Sequence, residues 1–373
     1  MHVLYYITSH GYGHAVRSAA VCNHLPDDAK LTICSDIPKQ FFKEELTRPH
    51  DVRPGGFDVG CLQKDGVTVL IEETLKAYSD IAVNNKLLLD DEVRWCVDNG
   101  VDCIVSDITP FAFDVADKVG IPSVAVSNFT WHDIYSPYVD KYPEYAPMLA
   151  EMAGQYSKAT LAVALYPSFQ MMTTFDNKWT VPFVGRKGRN RRKDINTAFG
   201  INKNKRLGLI YTGNFGLDGV NWRKLDDIDG WEFVGVYPLP GNPKNYHTVR
   251  KDQFRYEDLS ASADAIIAKM GYGVFSESIL NGIPLIYLPR DDFAEFPVLD
   301  AEAKRLGNGV CVDAEMFADV GWGDVLGDIV KKNKGMKPVA YEGARACVEK
   351  IVWLYEGTRA RACGDRIVKI AEK

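Results

Sequence analysis

The most constraining feature of this sequence is a repeated alternation of short apolar runs with longer stretches of helical periodicity. Helical spacing of apolar residues is clearest over residues 72–100, which lie between two of the apolar runs. Strands that alternate with helices predict a parallel sheet with helices on both faces. In the first half of the chain we predict strands at Val3–Thr8, Leu31–Ser35, Val67–Ile71, Cys103–Ser106, Ser123–Val126 and Thr160–Leu165.

The alternation is interrupted by residues 181–205, which are rich in glycine, asparagine and basic residues. It then starts again with the further apolar runs RLGLIYTG, WEFVGV, DAIIAKM, PLIYLP and NGVCV. We interpret the basic run as a solvated linker rather than a phosphate clamp. The sequence therefore predicts an α/β protein with an N-terminal Rossmann-like domain (1–185), a linker (186–204), a second Rossmann-like domain (205–340) and C-terminal helices (341–373).

Length, charge and cysteine content restrict the classes of protein to which this chain can belong. A chain of 373 residues is too long for one typical domain, and its formal net charge of −6 argues against a nucleic-acid partner. No apolar run approaches the roughly 18 residues of a membrane span, and the first residues lack the basic start of a signal peptide. None of the eight cysteines forms a CxxC pair, so we expect reduced thiols, no metal site and a cytoplasmic protein.

The segment ITSHGYGHAVRS, residues 7–18, joins the first predicted strand to the first predicted helix. Glycine tolerates positive φ, so its two glycines allow a tight turn and a close approach of the backbone to a ligand. The N–H groups at the start of a helix attract an anion or a group that develops negative charge. Candidate residues near an acceptor or a phosphate are His10, Gly11, Gly13, His14 and Arg17, with the last two in the first helical turn.

Charged residues follow several of the predicted strands directly. Asp107 follows VDCIVS, Lys269 follows AIIA, and Arg290 follows LIYLP. Turn formation explains the glycines at strand ends, but it does not explain charged side chains at the same kind of position. Because ligands of open α/β sheets bind beyond the carboxyl ends of the strands, we predict that these side chains line a ligand site.

Residues 263–297, which read ADAIIAKMGYGVFSESILNGIPLIYLPRDDFAEFP, resemble the nucleotide-sugar site of GT-B glycosyltransferases. The motifs GYGHAVR, VSDITPFA, NFTWHDIY, GNFG and KMGYGVFSE through RDDF are similar, in order and spacing, to the glycosyltransferase-like N-terminal half of plant L-arabinokinases. This resemblance implies the GT-B fold, in which two Rossmann-like doubly wound domains face a central cleft and a C-terminal helix often crosses back to the first domain. We find no glycine- and serine-rich phosphate loop of the small-molecule kinase type, so we do not expect sugar kinase activity.

The resemblance gives the loop at residues 7–18 a chemical role. In inverting members of the GT-B fold, a histidine in a GH turn after the first strand is the general base, and an aspartate at a later strand end hydrogen-bonds it. His14 and Asp107 match these positions. An alcohol needs a base to remove its proton, and a buried carboxylate would stabilise the resulting imidazolium. Two alternatives stay open: His14 caps the helix or contacts a phosphate, or His10 is the base.

The resemblance also implies a donor site in the second domain. Glu277 matches the glutamate that binds ribose hydroxyls, the turn 271–273 would offer N–H groups to the diphosphate, and Lys269 would add positive charge at the leaving phosphate. Arg290 and the acidic residues after it would contact the sugar hydroxyls, with a solvated acidic loop as the alternative. No cofactor and no metal are implied, and the expected substrate is a UDP-type nucleotide sugar. The complete predicted set is Gly213, Asn214, Lys269, Gly271, Tyr272, Gly273, Ser276, Glu277, Arg290, Asp291, Asp292 and Glu295.

We therefore predict an inverting, metal-independent glycosyltransferase whose acceptor hydroxyl belongs to a small molecule, a glycan or a lipid. A nucleotide-sugar hydrolase or epimerase on the same fold and a non-catalytic nucleotide-sugar sensor are the alternatives. An aromatic stretch at residues 128–149 would suit stacking on sugar faces, packing within the domain or a surface for a partner. Its tryptophan and tyrosines are Trp131, Tyr135, Tyr138, Tyr142 and Tyr145.

Overall fold

The chain forms two compact units, each built on a parallel sheet. Unit 1 comprises Met1–Leu62, Leu70–Val184 and Glu342–Lys373, and unit 2 comprises Gln63–Val69 and Gly185–Tyr341. The structure is a computed structural model in which side chains are described up to residue 360. The residues that it describes are 1–65, 67–168, 171–176, 178–211, 213, 219–332 and 338–371.

The sheet of unit 1 consists of parallel strands. They are β1 His2–Ile7, β2 Lys30–Cys34, β3 Asp51–Arg53, β4 Cys103–Asp107, β5 Ser123–Ser127, β6 Leu161–Leu165 and β7 Lys178–Val181. Their order across the sheet is β3-β2-β1-β4-β5-β6-β7. β1 pairs with β4 so that Ile7 lies level with Asp107 at the carboxyl edge. This is the strand order of doubly wound folds, whose ligands bind at that edge where the order reverses, between β1 and β4.

Helices connect the strands of unit 1. They are α1 Tyr12–Cys22, α2 Lys39–Glu45, α3 Ile71–Asp98, α4 Phe111–Val119, α5 Trp131–Val139 and α6 Ala146–Tyr156. The buried side chains of Leu4, Tyr6 and Ile104 pack with Phe111 and Val115 of α4, so apolar strand residues form a core with one face of the helix. The last helix of the chain, numbered α13 in chain order and spanning Gly343–Ala371, also belongs to unit 1 and packs against α1, β6 and β7.

Unit 2 repeats the topology of the first six strands of unit 1. Its strands are β8 Arg206–Tyr211, β9 Trp231–Gly235, β10 Tyr246–Thr248, β11 Ala265–Lys269, β12 Leu285–Leu288 and β13 Gly309–Cys311. They are parallel, in the order β10-β9-β8-β11-β12-β13, so β8 and β11 here take the places of β1 and β4 in unit 1. Its helices are α7 Arg192–Phe199, α8 Tyr256–Ser262, α9 Tyr272–Asn281, α10 Glu295–Leu306, α11 Ala314–Ala318 and α12 Gly323–Lys332.

The segment expected to be a solvated linker, residues 186–204, is packed into unit 2 and contains α7. Arg192 donates to the Asp264 carboxylate and to the carbonyl of Lys205, and the N–H of Arg191 donates to the Ser262 hydroxyl. The basic side chains therefore do not simply face water. They hold the segment against unit 2, because a guanidinium can satisfy several oxygen acceptors at once.

Five of the six strands predicted in the first half and all five in the second are present. The predicted strand Val67–Ile71 is wrong: Val69 makes an isolated bridge to Gln63, and α3 begins at Ile71. Glu72 and Glu73 in the first turn suit the positive end of the helix dipole, which favours helix at this point. Strands β3, β7 and β10 were not predicted from the sequence. They are three or four residues long and mostly exposed or half-buried, so they lack the apolar run that marks the other strands.

No helix in the described part of the chain is long and apolar enough to cross a membrane.

Ile195 of α7 is buried, although it lies in the middle of the expected linker. We expect Ile195→Ala to lower the free energy of unfolding by about 2–5 kcal/mol, because it leaves a cavity in the core. Denaturant unfolding followed by tryptophan fluorescence measures this change. The matched control is Lys193→Ala, an exposed position on the same helix, which should change stability by less than about 0.5 kcal/mol. Equal stability of both variants would contradict the packing of this segment.

Candidate functional site

The loop between β1 and α1 brings the candidate residues of unit 1 to the carboxyl edge of the sheet. Gly11 precedes α1 with φ of 132°, a conformation in which a side chain would be strained. Gly11 and Gly13 are exposed, and a Cβ at either position would meet no atom within 4 Å. The glycines therefore leave the backbone at the start of α1 uncovered, while His14 and Arg17 point from α1 towards the end of β4.

Asp107 is the centre of the polar network at this edge. Its side chain is 1% exposed, and it accepts hydrogen bonds from Arg17 Nε at 2.8 Å, Arg17 Nη2 at 2.6 Å and Ser18 Oγ at 2.8 Å. Burial acts to raise the pKa of this carboxyl, but the charges of Arg17 and His14 and their hydrogen bonds hold it well below its usual range. Asp107 is therefore ionised at neutral pH.

The ionised carboxylate decides which nitrogen of His14 carries the proton. Asp107 Oδ1 lies 3.0 Å from His14 Nδ1, and because the carboxylate can only accept, Nδ1 must donate. Arg17 Nη2 lies 2.9 Å from Nδ1, 2.6 Å from Asp107 Oδ1 and 2.9 Å from Ser127 Oγ. Its two hydrogens cannot serve three acceptors, and we assign them to the carboxylate and the hydroxyl, which leaves Nδ1 to donate to Asp107. In the neutral ring of His14, Nε2 is therefore left as a proton acceptor, and the side chain is 11% exposed.

His10 lies in the same loop but has the opposite arrangement of protons. The backbone N–H of Cys61 donates to His10 Nδ1 at 3.1 Å, so in the neutral ring the proton is on Nε2. Gly60, with φ of 63°, lets the chain approach so closely that a Cβ there would lie 2.3 Å from the imidazole. The ring also meets Trp131 edge-on, with 5.2 Å between centroids. In their neutral forms, His10 therefore carries its proton on Nε2, whereas His14 carries its proton on Nδ1.

Arg17, which the sequence analysis placed near an acceptor or a phosphate, is buried in unit 1. It lies in the second turn of α1 and also donates through Nη1 to Asn128 Oδ1, beyond the end of β5. Its guanidinium thus joins α1 to the ends of β4 and β5. The reason is electrostatic: the buried carboxylate of Asp107 attracts the cation that the sequence suggested for a ligand.

The aromatic stretch at residues 128–149 is largely a packing element. Trp131, Tyr135 and Tyr138 of α5 are buried, and their rings stack in succession at 5.7 and 6.1 Å between centroids. Tyr142 and Tyr145 are half-buried. Of the three interpretations of this stretch, packing within the domain therefore applies to the residues of α5.

In unit 2, charged residues lie at the carboxyl ends of neighbouring strands. Lys269 ends β11, Arg290 follows β12, and Gly271 precedes α9 without a side-chain cap for the first N–H groups of that helix. Burial, followed by the charge of Arg290, lowers the pKa of Lys269 to about 8. Gly213, after β8, has φ of 73°, and a Cβ there would lie 4.0 Å from Lys269 Cε. Asn214 lies outside the described residues.

Glu277 is buried in α9 and forms an ion pair that the sequence analysis missed. It is 2% exposed, and its Oε1 accepts from Arg186 Nε at 2.8 Å. Arg186 also lies 3.3 Å from Glu257 Oε2, and its guanidinium is 5.5 Å from the centre of the Tyr256 ring. The signal for Arg186 was the basic run that we interpreted as a linker. The predicted ribose-binding carboxylate is thus held by an arginine from that segment.

Two other residues of the predicted donor set in α9 face the interior of unit 2. Tyr272 is buried, and Ser276 donates its hydroxyl hydrogen to the carbonyl of Gly273 at 3.0 Å. Gly185 lies against Ser276, where a Cβ would be 2.7 Å from the hydroxyl oxygen. The Ser276 hydroxyl is therefore already used in a hydrogen bond within α9.

The acidic segment after β12 is divided between exposed and buried side chains. Asp291 is exposed and Asp292 is half-buried, as a solvated loop would be. Glu295 is buried at the start of α10, and Arg290 is buried with its guanidinium 4.0 Å from the centre of the Phe293 ring. The segment is therefore only in part the solvated loop that we considered as an alternative.

Comparison with solved structures identifies the fold. The calicheamicin glycosyltransferase CalG4 matches with a TM-score of 0.65 at 15% identity, over 95% of this chain and 98% of that one. UGT2 of Phytolacca americana, solved with UDP-2-fluoroglucose and pterostilbene, matches with a TM-score of 0.65 at 13% identity, over 95% and 99%. A Listeria monocytogenes protein assigned as a UDP-N-acetylglucosamine 2-epimerase matches with a TM-score of 0.62 at 12% identity, over 96% and 97%. The chain has the GT-B fold.

Comparison of sequences gives one curated relative, the L-arabinokinase of Arabidopsis thaliana. It is 31% identical over 303 residues, which are 79% of this chain and 29% of the relative. The chain therefore spans less than a third of the length of that protein. No family model matches the chain.

If Lys269 contacts the diphosphate of a UDP-type donor, its lowered pKa predicts how UDP affinity depends on pH. A diphosphate binds the charged ammonium better than the neutral amine, so affinity should fall as pH rises through about 8. Calorimetric titration with UDP between pH 7 and 9.5 measures this. Lys269→Arg is the control, because a guanidinium stays charged and should remove the pH dependence. An identical pH dependence in both proteins would exclude Lys269 as its source.

Glu277 is best tested as Glu277→Gln, because the amide oxygen of glutamine can still accept from Arg186 Nε, whereas alanine cannot. Loss of hydrogen bonds from ribose hydroxyls to a charged group should weaken UDP binding by about 1.5–3 kcal/mol. Glu257→Gln is the matched control: it also removes a carboxylate from Arg186, but UDP affinity should stay close to that of the wild type. Equal losses in both variants would mean that the ion pairs, rather than a ribose contact, set the affinity.

Proposed function

We propose that the protein is an inverting, metal-independent glycosyltransferase that moves a sugar from a UDP-type nucleotide sugar to the hydroxyl of an acceptor. The observation that carries the proposal is the contact of 3.0 Å between His14 Nδ1 and the buried, ionised Asp107. It leaves His14 Nε2 as a proton acceptor at the carboxyl edge of a doubly wound sheet, where ligands of such sheets bind. The GT-B fold and the UDP-2-fluoroglucose bound in the UGT2 structure support a nucleotide sugar as the donor.

Unit 1 would activate the acceptor. His14 Nε2 removes the proton of the acceptor hydroxyl as its oxygen attacks the anomeric carbon of the sugar. Asp107 stabilises the imidazolium that forms, as the orienting carboxylate does in a hydrolase triad. The bond between the anomeric carbon and the phosphate oxygen breaks on the opposite side, so the configuration at that carbon inverts in one displacement.

Unit 2 would hold the donor and stabilise the leaving diphosphate. The ammonium of Lys269 and the first N–H groups of α9 supply positive charge where the phosphate gains negative charge. Arg290 adds a second cationic side chain at the end of the adjacent strand. These groups would take the part that a divalent cation plays in other transferases, and activity should therefore persist in a chelator such as EDTA.

The proton arrangement favours His14 over His10 as the base. A base needs an unprotonated nitrogen directed at the substrate, and His10 uses Nδ1 to accept the N–H of Cys61. Its Nε2 carries the proton, so it can donate to an oxygen but cannot remove a proton from one. We also propose a cytoplasmic location, where thiols such as those of Cys22 and Cys347 remain reduced.

A nucleotide-sugar epimerase or hydrolase is the second candidate, supported by the Listeria monocytogenes structure. In these reactions the sugar itself or water takes the place of the acceptor. A panel of UDP-sugars screened by thermal shift, followed by product analysis with and without added acceptors, separates the two. Conversion of a UDP-sugar without an added acceptor at the full rate would favour the second candidate, and binding without any conversion would indicate a sensor.

If His14 is the base, His14→Ala should lower turnover by about 10² to 10⁴, with little change in UDP affinity. Asp107→Asn should act on the same step, because the introduced amide would donate to Nδ1 and move the imidazole proton to Nε2. The double variant should then be about as slow as His14→Ala alone. Steady-state rates and UDP calorimetry on all three variants provide the test. Multiplicative losses would show that Asp107 acts independently, and full activity of His14→Ala would exclude it as the base.

A further inference from the structure

Arg17 makes a set of contacts that a surface arginine near a ligand would not make. Its side chain is buried, and it contacts both oxygens of Asp107, Ser127 Oγ and Asn128 Oδ1. Its Nη2 also lies 2.9 Å from His14 Nδ1. These partners come from β4 and from the end of β5, whereas Arg17 itself belongs to α1. The guanidinium is thus fixed in one position, in side-on contact with the carboxylate that also contacts His14.

The charge of Arg17 matters because Asp107 contacts two side chains that can carry a positive charge, Arg17 and His14. With Arg17 present, the cation and the carboxylate sum to zero, and a neutral His14 completes the group without a net buried charge. Without Arg17, the carboxylate would be balanced only by a protonated His14, or it would take up a proton itself. The first outcome leaves no base at neutral pH. The second places a hydroxyl donor against Nδ1 and moves the imidazole proton to Nε2.

We propose that Arg17 is a positioning residue that keeps Asp107 ionised and His14 neutral, with the imidazole proton held on Nδ1. The role of Arg17 in catalysis rests on the proposed function of His14, but its effect on the protons of His14 does not. Arg17 therefore fixes the charge of Asp107, and Asp107 in turn fixes the proton position of His14, so the effect of the buried guanidinium extends to Nε2 of His14.

Other titratable groups also face His14 and must be held constant in a test. His10 lies in the loop before α1, with 6.5 Å between the two imidazole centroids. Asp58, between β3 and α3, interacts electrostatically with His14, and its buried carboxylate accepts the hydroxyl hydrogens of Thr8 and Thr109. Both groups are kept in every variant of Arg17, so they face His14 in the wild type and in the variants alike.

The experiment is an NMR titration of the His14 ring by long-range proton–nitrogen correlation, with His14→Gln used for assignment. Nitrogen shifts report the tautomer directly, and the midpoint reports protonation. Arg17→Met should raise the midpoint of His14 by about one pH unit or more, because an unbalanced carboxylate favours the imidazolium. Arg17→Lys keeps the charge and should remain near the wild type. Arg53→Met is the matched control, since it removes another ion pair of unit 1, from the half-buried Arg53 to the buried Glu92, and should not move the midpoint.

A second pair of variants decides the question if Arg17→Met does not fold. Asp107→Asn leaves the charge of Arg17 uncompensated and should lower the midpoint of His14, whereas Arg17→Met combined with Asp107→Asn removes both charges and should restore it. The proposal is overturned if a folded Arg17→Met has the midpoint and tautomer of the wild type, or if the double variant titrates like Asp107→Asn. If the midpoint moves in Arg17→Met but the acidic limb of the turnover–pH profile does not, the role of Arg17 stands and the assignment of His14 as the base fails.

Discussion

The interaction on which the site of unit 1 depends is the placement of an ionised carboxylate at the end of a buried strand. Asp107 has almost no contact with solvent, and a carboxylate in that position is costly unless donors surround it. Arg17, Ser18 and His14 provide those donors from successive turns of α1, the helix that follows the neighbouring strand. The need to satisfy Asp107 therefore fixes how α1 sits on the sheet and, with it, the orientation of the imidazole.

Unit 2 also contains a buried carboxylate that needs a partner, but its arginine comes from a different kind of segment. Glu277 is also a buried carboxylate beside an arginine, but Arg186 comes from a segment outside the strands and helices that surround the sheet. In unit 1 the partner of Asp107 is Arg17 of α1, so the ion pair involves only β1, α1 and β4. In unit 2 the pair requires the segment that includes α7 to fold back onto α9. Glu277 thus holds the segment around Arg186 against α9, in addition to any contact that it makes with a ligand.

The strand ends of the site could be predicted from the sequence, because apolar runs mark the strands and the doubly wound order places their carboxyl ends at one edge. Lys269 and Asp107 were found in this way. The contact of Asp107 with His14 was expected from the resemblance and is present, but the arginine partners of Asp107 and Glu277 could not be predicted. Arg17 and Asp107 are 90 residues apart, and Arg186 and Glu277 are 91 apart, so no local periodicity relates them. Short, partly exposed strands such as β3 were missed for the related reason that pairing with a neighbour, rather than composition, makes them strands.

The two histidines of the loop show why a motif alone does not assign chemistry. They are four residues apart and belong to one residue type, yet their neighbours impose opposite proton positions. A backbone N–H can only donate, so the contact from Cys61 makes His10 Nδ1 an acceptor; an ionised carboxylate can only accept, so Asp107 makes His14 Nδ1 a donor. In the neutral rings, Nε2 of His10 therefore carries a proton, and Nε2 of His14 does not. The two neutral rings therefore carry their protons on different nitrogens, and that asymmetry arises from the groups that contact the loop, Cys61 and Asp107, rather than from the loop sequence.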